Sequence, residues 1–188
     1  MASRIYVVLL HHPVRNREGN LVTTSITNFD LHDIARTART FGIAKYYVVN
    51  PLESQLMLAE RIAFYWQKGL GSSLIPDRKE AFTVVRVKKN IEQVITEIQQ
   101  EEGIKPVLVG TDASEFPNNI SYISLRKKIK KDNRPYALIF GTGWGIETGW
   151  LNSLDYILEP IRGTVDSYNH LSVRSAVAII LDRLLGER

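Results

Sequence analysis

The sequence predicts an α/β fold, a parallel sheet flanked by helices on both faces. Three observations predict it. Short apolar runs alternate with amphipathic helical stretches along all 188 residues. The runs are rich in Val, Ile and Tyr and mostly lack polar alternation, as strands covered on both faces do. No repeat or Ser/Pro-rich linker interrupts the rhythm, so a single domain over residues 1–188 is expected.

The first strand is Ile5–Leu10, too short an apolar run for a signal-peptide core or a membrane span. A long loop follows, residues 11–28 (HHPVRNREGNLVTTSITN), of the kind that is functional or disordered in a compact domain. Thr27-Asn28-Phe29-Asp30 starts a helix over about 29–41, with Asn28 or Asp30 as cap. Leu31, Ile34, Ala35, Ala38 and Phe41 form its buried face, and Gly42 closes it. His32, Arg36 and Arg39 share another face, either a solvated polar stripe or the place of a functional arginine.

Further strands are expected at Tyr46–Asn50, Phe82–Val87, Pro106–Val109, Tyr136–Phe140 and Tyr156–Leu158. Helices are expected at about 53–69, 90–102, 121–131 and 171–185. Gly69–Arg78 reads as a second flexible loop. In the last helix Ala176–Leu181 is apolar on every side, which requires burial in the fold, a hydrophobic dimer interface, or both.

Composition excludes some chemistry. The chain has no cysteine, so disulfides, thiolate metal sites and a cysteine nucleophile are ruled out, in keeping with a reducing cytosol. His11, His12, His32 and His170 are too scattered to form a metal-binding motif. The net charge of +4 points weakly to a polyanionic partner. Arg126-Lys127-Lys128, Lys130-Lys131 and Arg134 form a basic helix end, either a solvated face or a set of phosphate contacts. Arg15, Arg17, Arg36 and Arg39 would form a second basic patch.

The strand at Tyr136–Phe140 runs into Gly141-Thr142-Gly143-Trp144-Gly145. Alternate glycines after a strand let the backbone approach a ligand and adopt positive φ, although a plain tight turn explains them too. The spacing is neither the dinucleotide fingerprint nor a Walker loop. Two more loops follow: Glu159-Pro160-Ile161-Arg162-Gly163, and Asp166 to His170 leading into Leu171-Ser172-Val173-Arg174.

Together TNFDLHDIARTARTFGI, LIFGTGWGI and YNHLSVRSAVAIILDRLL resemble, in order and separation, the three motifs of SPOUT-class RNA methyltransferases. The resemblance spans Ile5 to Leu185 and is strongest to a small bacterial group related to the C-terminal domain of some tRNA guanine-N1 methyltransferases. It implies a C-terminal trefoil knot, a homodimer with sites near the subunit interface, S-adenosylmethionine as cofactor, and tRNA or rRNA as substrate. It places Val109, Gly110, Thr111, Gly141, Thr142, Gly143 and Gly145 around the cofactor. Leu158, Pro160, Ile161, Gly163, Asn169, Leu171 and Ser172 complete that set. Arg36 matches the first-motif arginine, and Asn28 matches the loop asparagine more loosely.

Departures from the ribose-methylating pattern leave base and ribose chemistry both open. Gly143 stands where a glutamate is frequent, and Ser172 and Arg174 stand where Asn and Ser are frequent. Methyl transfer from a sulfonium is an in-line displacement in which alignment alone supplies about 7–11 kcal/mol. Arg36 suits an orienting role, whereas Asp166 suits a proton acceptor. Trp144 or Tyr168 would stack on a base. Two other readings stay open at this point: a cofactor- or RNA-binding module without catalysis, and a nucleotide-binding protein of flavodoxin-like topology.

Overall fold

A computed structural model of the chain describes residues 4–165 and 168–187. Strand β1 (Ile5–Leu10) leads into a small hairpin, β2 (Val14–Arg15) and β3 (Leu21–Val22), then helix α1 (Asn28–Thr40). Strand β4 (Lys45–Val49) precedes α2 (Glu53–Gln67), α3 (Gly71–Leu74) and α4 (Pro76–Phe82). Next come β5 (Val85–Lys88), α5 (Ile91–Glu102), β6 (Val107–Thr111) and β7 (Asn119–Ile120). The last elements are α6 (Tyr122–Lys131), β8 (Tyr136–Gly141), α7 (Thr148–Asn152), β9 (Tyr156–Leu158) and α8 (Val173–Leu185).

Seven strands form one sheet in the order β5-β4-β1-β8-β6-β9-β7, every neighbouring pair parallel. The expected α/β parallel sheet is therefore present. All six residues of β1 are buried, and the pleat sends them alternately to two cores. Ile5, Val7 and Leu9 pack with residues of α1, α2, α4, α6 and α8. Tyr6, Val8 and Leu10 pack with residues of α5 and α7. From β1 the chain builds one half of the sheet through β4 and β5, then returns to build the other half beyond β8. Open parallel sheets place ligands at such a reversal, outside the carboxyl ends of the strands.

Several boundaries differ from the sequence expectation. The cap of α1 is Thr27, whose hydroxyl accepts from Asp30 N, so neither Asn28 nor Asp30 fills that role. Phe82 ends α4, and the following strand starts only at Val85. Much of Gly69–Arg78 is helical: Pro76 stands at the first position of α4, where its missing N–H costs nothing. Gly71 lies so close to the Tyr65 and Trp66 rings that a Cβ there would collide with both. In α8 Val177, Ile180 and Leu181 are buried, but Ala178 and Ile179 remain partly exposed. No helix among the described residues is long and apolar enough to cross a membrane.

Candidate active site

The carboxyl ends of β6 and β8 open into a cleft of about 880 Å³, within the range of small-molecule sites. Thr24, Ser25, Thr27 and Asp30 line it from the first loop and α1. Thr111 to Ser114 line it from the end of β6 onward, and Phe140 to Gly145 from the end of β8 onward. Glu159, Ile161 and Asn169 to Val173 close the remaining side, with Ala176 and Ile180 of α8.

The glycine loop is built by contact with the first loop. Arg15 N donates to Gly145 O at 2.9 Å, Trp144 N to Arg15 O at 3.0 Å, and Glu147 N to Pro13 O at 3.1 Å. Gly143 and Gly145 have φ of 61° and 97°, a region L side chains rarely enter. A Cβ on Gly143 would lie 3.0 Å from Arg15 O, and one on Gly145 would lie 2.6 Å from Asp112 Oδ2. Glycine therefore lets the backbone itself form the cleft wall. The first loop is also tied on its other flank, since Asn50 Nδ2 donates to Thr24 O at 2.9 Å and Ile26 N donates to Gln55 Oε1 at 2.7 Å.

A part-buried hydrogen-bond chain joins this wall to the first loop and β1. His11 Nδ1 is 3.0 Å from Thr24 Oγ1, which contacts Thr142 Oγ1, which is 3.2 Å from Leu10 O. A carbonyl only accepts, so Thr142 donates to Leu10, Thr24 donates to Thr142, and His11 must donate from Nδ1. Its Nε2 is left as a buried acceptor without a protein partner. Burial pushes the His11 imidazole down to about 4, so it is neutral at physiological pH.

Two carboxylates on the walls have ion partners. Asp112 is almost fully buried; Arg15 Nη2 donates to its Oδ2 at 3.1 Å and Ser114 N to its Oδ1 at 2.8 Å. Asp30 receives the Thr27 hydroxyl on Oδ2 at 2.7 Å, while Arg174 Nη1 stands 3.4 Å from Oδ1. Arg174 also faces Asp33 at 3.5 Å and covers the Phe29 ring. Asn169 Nδ2 donates to Ala113 O at 3.0 Å, joining the last loop to the end of β6. Trp144, His170 and Tyr168 form an edge-to-face aromatic group at the rim.

Of the sequence-predicted residues, Thr111, Gly141, Thr142, Gly143, Gly145, Ile161, Asn169, Leu171 and Ser172 come together on the cleft. Val109 and Leu158 are packed in the core, and Pro160, two residues after Leu158, is buried. Gly110 faces Leu151 and Leu154, where a Cβ would not fit, and Gly163 is exposed away from the cleft lining. Arg36 and Asn28 are exposed on α1 outside the cleft lining. Asp166 lies outside the described residues.

Sequence reasoning missed the cleft roles of Asp112, Thr24 and Asp30. The first directly follows the predicted Val109-Gly110-Thr111, but its partner Arg15 is far away in sequence. The basic run on α6 leads into the start of β8, at the end of the strands opposite the cleft. Arg126 donates there to Arg183 O and Gly186 O, holding the end of α8.

Residues 4–186 match the model of a family of SAM-dependent RNA methyltransferases. The chain belongs to that family. This methyltransferase is 47% identical over 184 residues to an uncharacterized protein of Aquifex aeolicus, covering 98% of this chain and 89% of the relative. It is 40% identical over 183 residues to a tRNA (guanine-N(1)-)-methyltransferase of Oleidesulfovibrio alaskensis, covering 97% of this chain. It spans only 42% of that relative's length. Among solved structures, the SpoU methyltransferase AviRb from Streptomyces viridochromogenes in complex with AdoMet aligns at TM-score 0.59 and 18% identity. That alignment covers 98% of this chain and 58% of AviRb. The TrmH/SpoU tRNA modifying enzyme of A. aeolicus aligns at TM-score 0.56 and 16% identity, covering 98% and 76%. The methyltransferase thus shares the fold of the SpoU/TrmH enzymes, as the three sequence motifs implied.

Proposed function

We propose that this methyltransferase holds S-adenosylmethionine in the cleft between the glycine loop and residues 169–172 and methylates a nucleotide of tRNA or rRNA. The cleft carries the reading. Its size suits a nucleoside-sized cofactor, and Phe140, Ile161, Leu171 and Ala176 offer apolar cover for an adenine ring. Gly141, Gly143 and Gly145 let this loop pack closely against the first loop and Asp112 along the cleft. The Asp30 carboxylate, held only loosely by Arg174, favours a cationic ligand. Bound there, the cofactor would supply an electrophilic methyl group on sulfonium.

The protein's own work is then alignment. The hydrogen-bond chain from His11 to Leu10 fixes the glycine loop against the first loop, and the Arg15–Asp112 pair fixes both to the end of β6. Trp144 and Tyr168 at the rim suit stacking on an unpaired base. Arg36 on the exposed face of α1 is assigned a phosphate or orienting role, with Asn28 at the start of the same helix. The protein is further read as a homodimer in the cytoplasm whose C-terminal segment threads a trefoil knot. Exposed Phe29 and Leu171 and half-exposed Ile179 support an apolar subunit contact near the cleft. Transfer of tritium from labelled S-adenosylmethionine to RNA from a strain lacking the gene tests the function. The expected result is labelled RNA; unlabelled RNA with folded, cofactor-binding protein would refute it.

A further inference from the structure

Of the cleft carboxylates, Asp30 differs from the other two in how its oxygens are held. Both oxygens of Asp112 accept from protein donors at 3.1 Å or less, one of them in an ion pair. Glu159 accepts from Tyr122 N at 2.6 Å and so holds the start of α6. On Asp30 the short contact is at Oδ2, which accepts the Thr27 hydroxyl at 2.7 Å. Its Oδ1 has Arg174 at 3.4 Å, beyond ordinary hydrogen-bond length for a charged donor. The guanidinium is therefore a loose partner that leaves acceptor capacity on Oδ1. The charged and titratable groups around Asp30 are Arg174 from α8, Asp33 from α1 itself, and Tyr46, whose hydroxyl donates to Asp30 O at 3.3 Å.

We propose that Asp30 is the proton acceptor of methyl transfer, and that the methylated atom is a ring N–H of a nucleobase. The inference rests on the reading of the cleft as the site of an RNA methyltransferase. A ring N–H beside a carbonyl is more acidic than a ribose hydroxyl, so a carboxylate can take its proton as the new bond forms. The ring nitrogen forms its bond to the methyl carbon while the carbon–sulfur bond breaks, and that bond's electron pair leaves with sulfur. The N–H proton passes to Asp30 Oδ1 and from there to water. Arg174 acts as a positioning residue, holding Asp30 against the cleft through charge and through its own contacts with Asp33 and Phe29.

The test uses the full chain, tritiated S-adenosylmethionine, and RNA from a strain lacking the gene. RNA labelled by the wild type should yield, on digestion, a base-methylated nucleoside. In Asp30→Asn, transfer at neutral pH should fall by about 10²–10⁴-fold, and the residual rate should climb with pH as the substrate N–H ionises unaided. Calorimetry should show cofactor affinity within about threefold of wild type, separating lost catalysis from lost binding. Asp30→Glu should recover part of the rate, which loss of a helix-start contact alone would not explain. A 2′-O-methylated nucleoside would overturn the inference and leave the methyltransferase reading standing. Full turnover in Asp30→Asn with loss in Asp166→Asn would move the proton acceptor to Asp166. Wild-type protein that labels no RNA would remove reading and inference together.

Discussion

His11 makes stability depend on acidity in a window where few other groups titrate. Its folded value of about 4 lies below its ordinary 6.5, so the unfolded chain binds the proton more readily. Stability therefore falls as pH drops from about 6.5 to about 4 and is restored above that range. At about 1.36 kcal/mol per pH unit, the gap corresponds to about 3 kcal/mol in total, of which about 2 kcal/mol is lost between pH 7 and 4.5. His32, also lowered by burial, acts in the same direction. The lowered Glu97 and Asp132, both held at about 2 beside Lys45 and Arg134, lose their contribution mainly below about pH 4.5, and equally in wild type and variant. The perturbation is His11→Asn, which keeps a hydrogen-bond donor but cannot take up a proton in this range. Urea unfolding at pH 7 and at 4.5 gives the difference for each protein. Wild type should lose about 2 kcal/mol more than the variant over that interval. Equal losses would refute the neutral buried imidazole.

Gly145→Ala should cost about 1–3 kcal/mol in stability and weaken S-adenosylmethionine binding at least tenfold by calorimetry, because its Cβ would displace Asp112. Gly42→Ala, at φ 67° in open space away from the cleft, should lower stability by about 1–2 kcal/mol without changing affinity. Arg36→Ala should abolish or greatly reduce methyl transfer while cofactor affinity stays within a few-fold, since the side chain stands outside the cleft. Transfer at the wild-type rate would remove Arg36 from the reaction.

Local patterning carried much of this fold. The runs at Ile5–Leu10 and Tyr156–Leu158 are strands at those bounds, because a strand buried on both faces needs only continuous apolar residues. Gly42, at φ 67°, closes α1 as its position suggested. Features set by distant contacts were less legible. The α3–α4 turn depends on Gly71 packing against Tyr65 and Trp66, and composition alone read that segment as loop. Strand β7 is two residues long and exists through its pairing with β9. At the site, the glycine loop and the entry to α8 were visible as motifs. The Arg15–Asp112 pair and the hydrogen-bond chain through Thr24 and Thr142 join segments far apart in sequence, so no local spacing announces them.

A crystal structure of the protein grown with S-adenosylmethionine tests the central claim most directly. The account predicts cofactor density in the cleft, its adenosine against Gly141–Gly145 and residues 169–172, and its methyl group turned toward the opening beside Asp30. Cofactor bound elsewhere on the chain, or a cleft that stays empty at saturating cofactor, would contradict it.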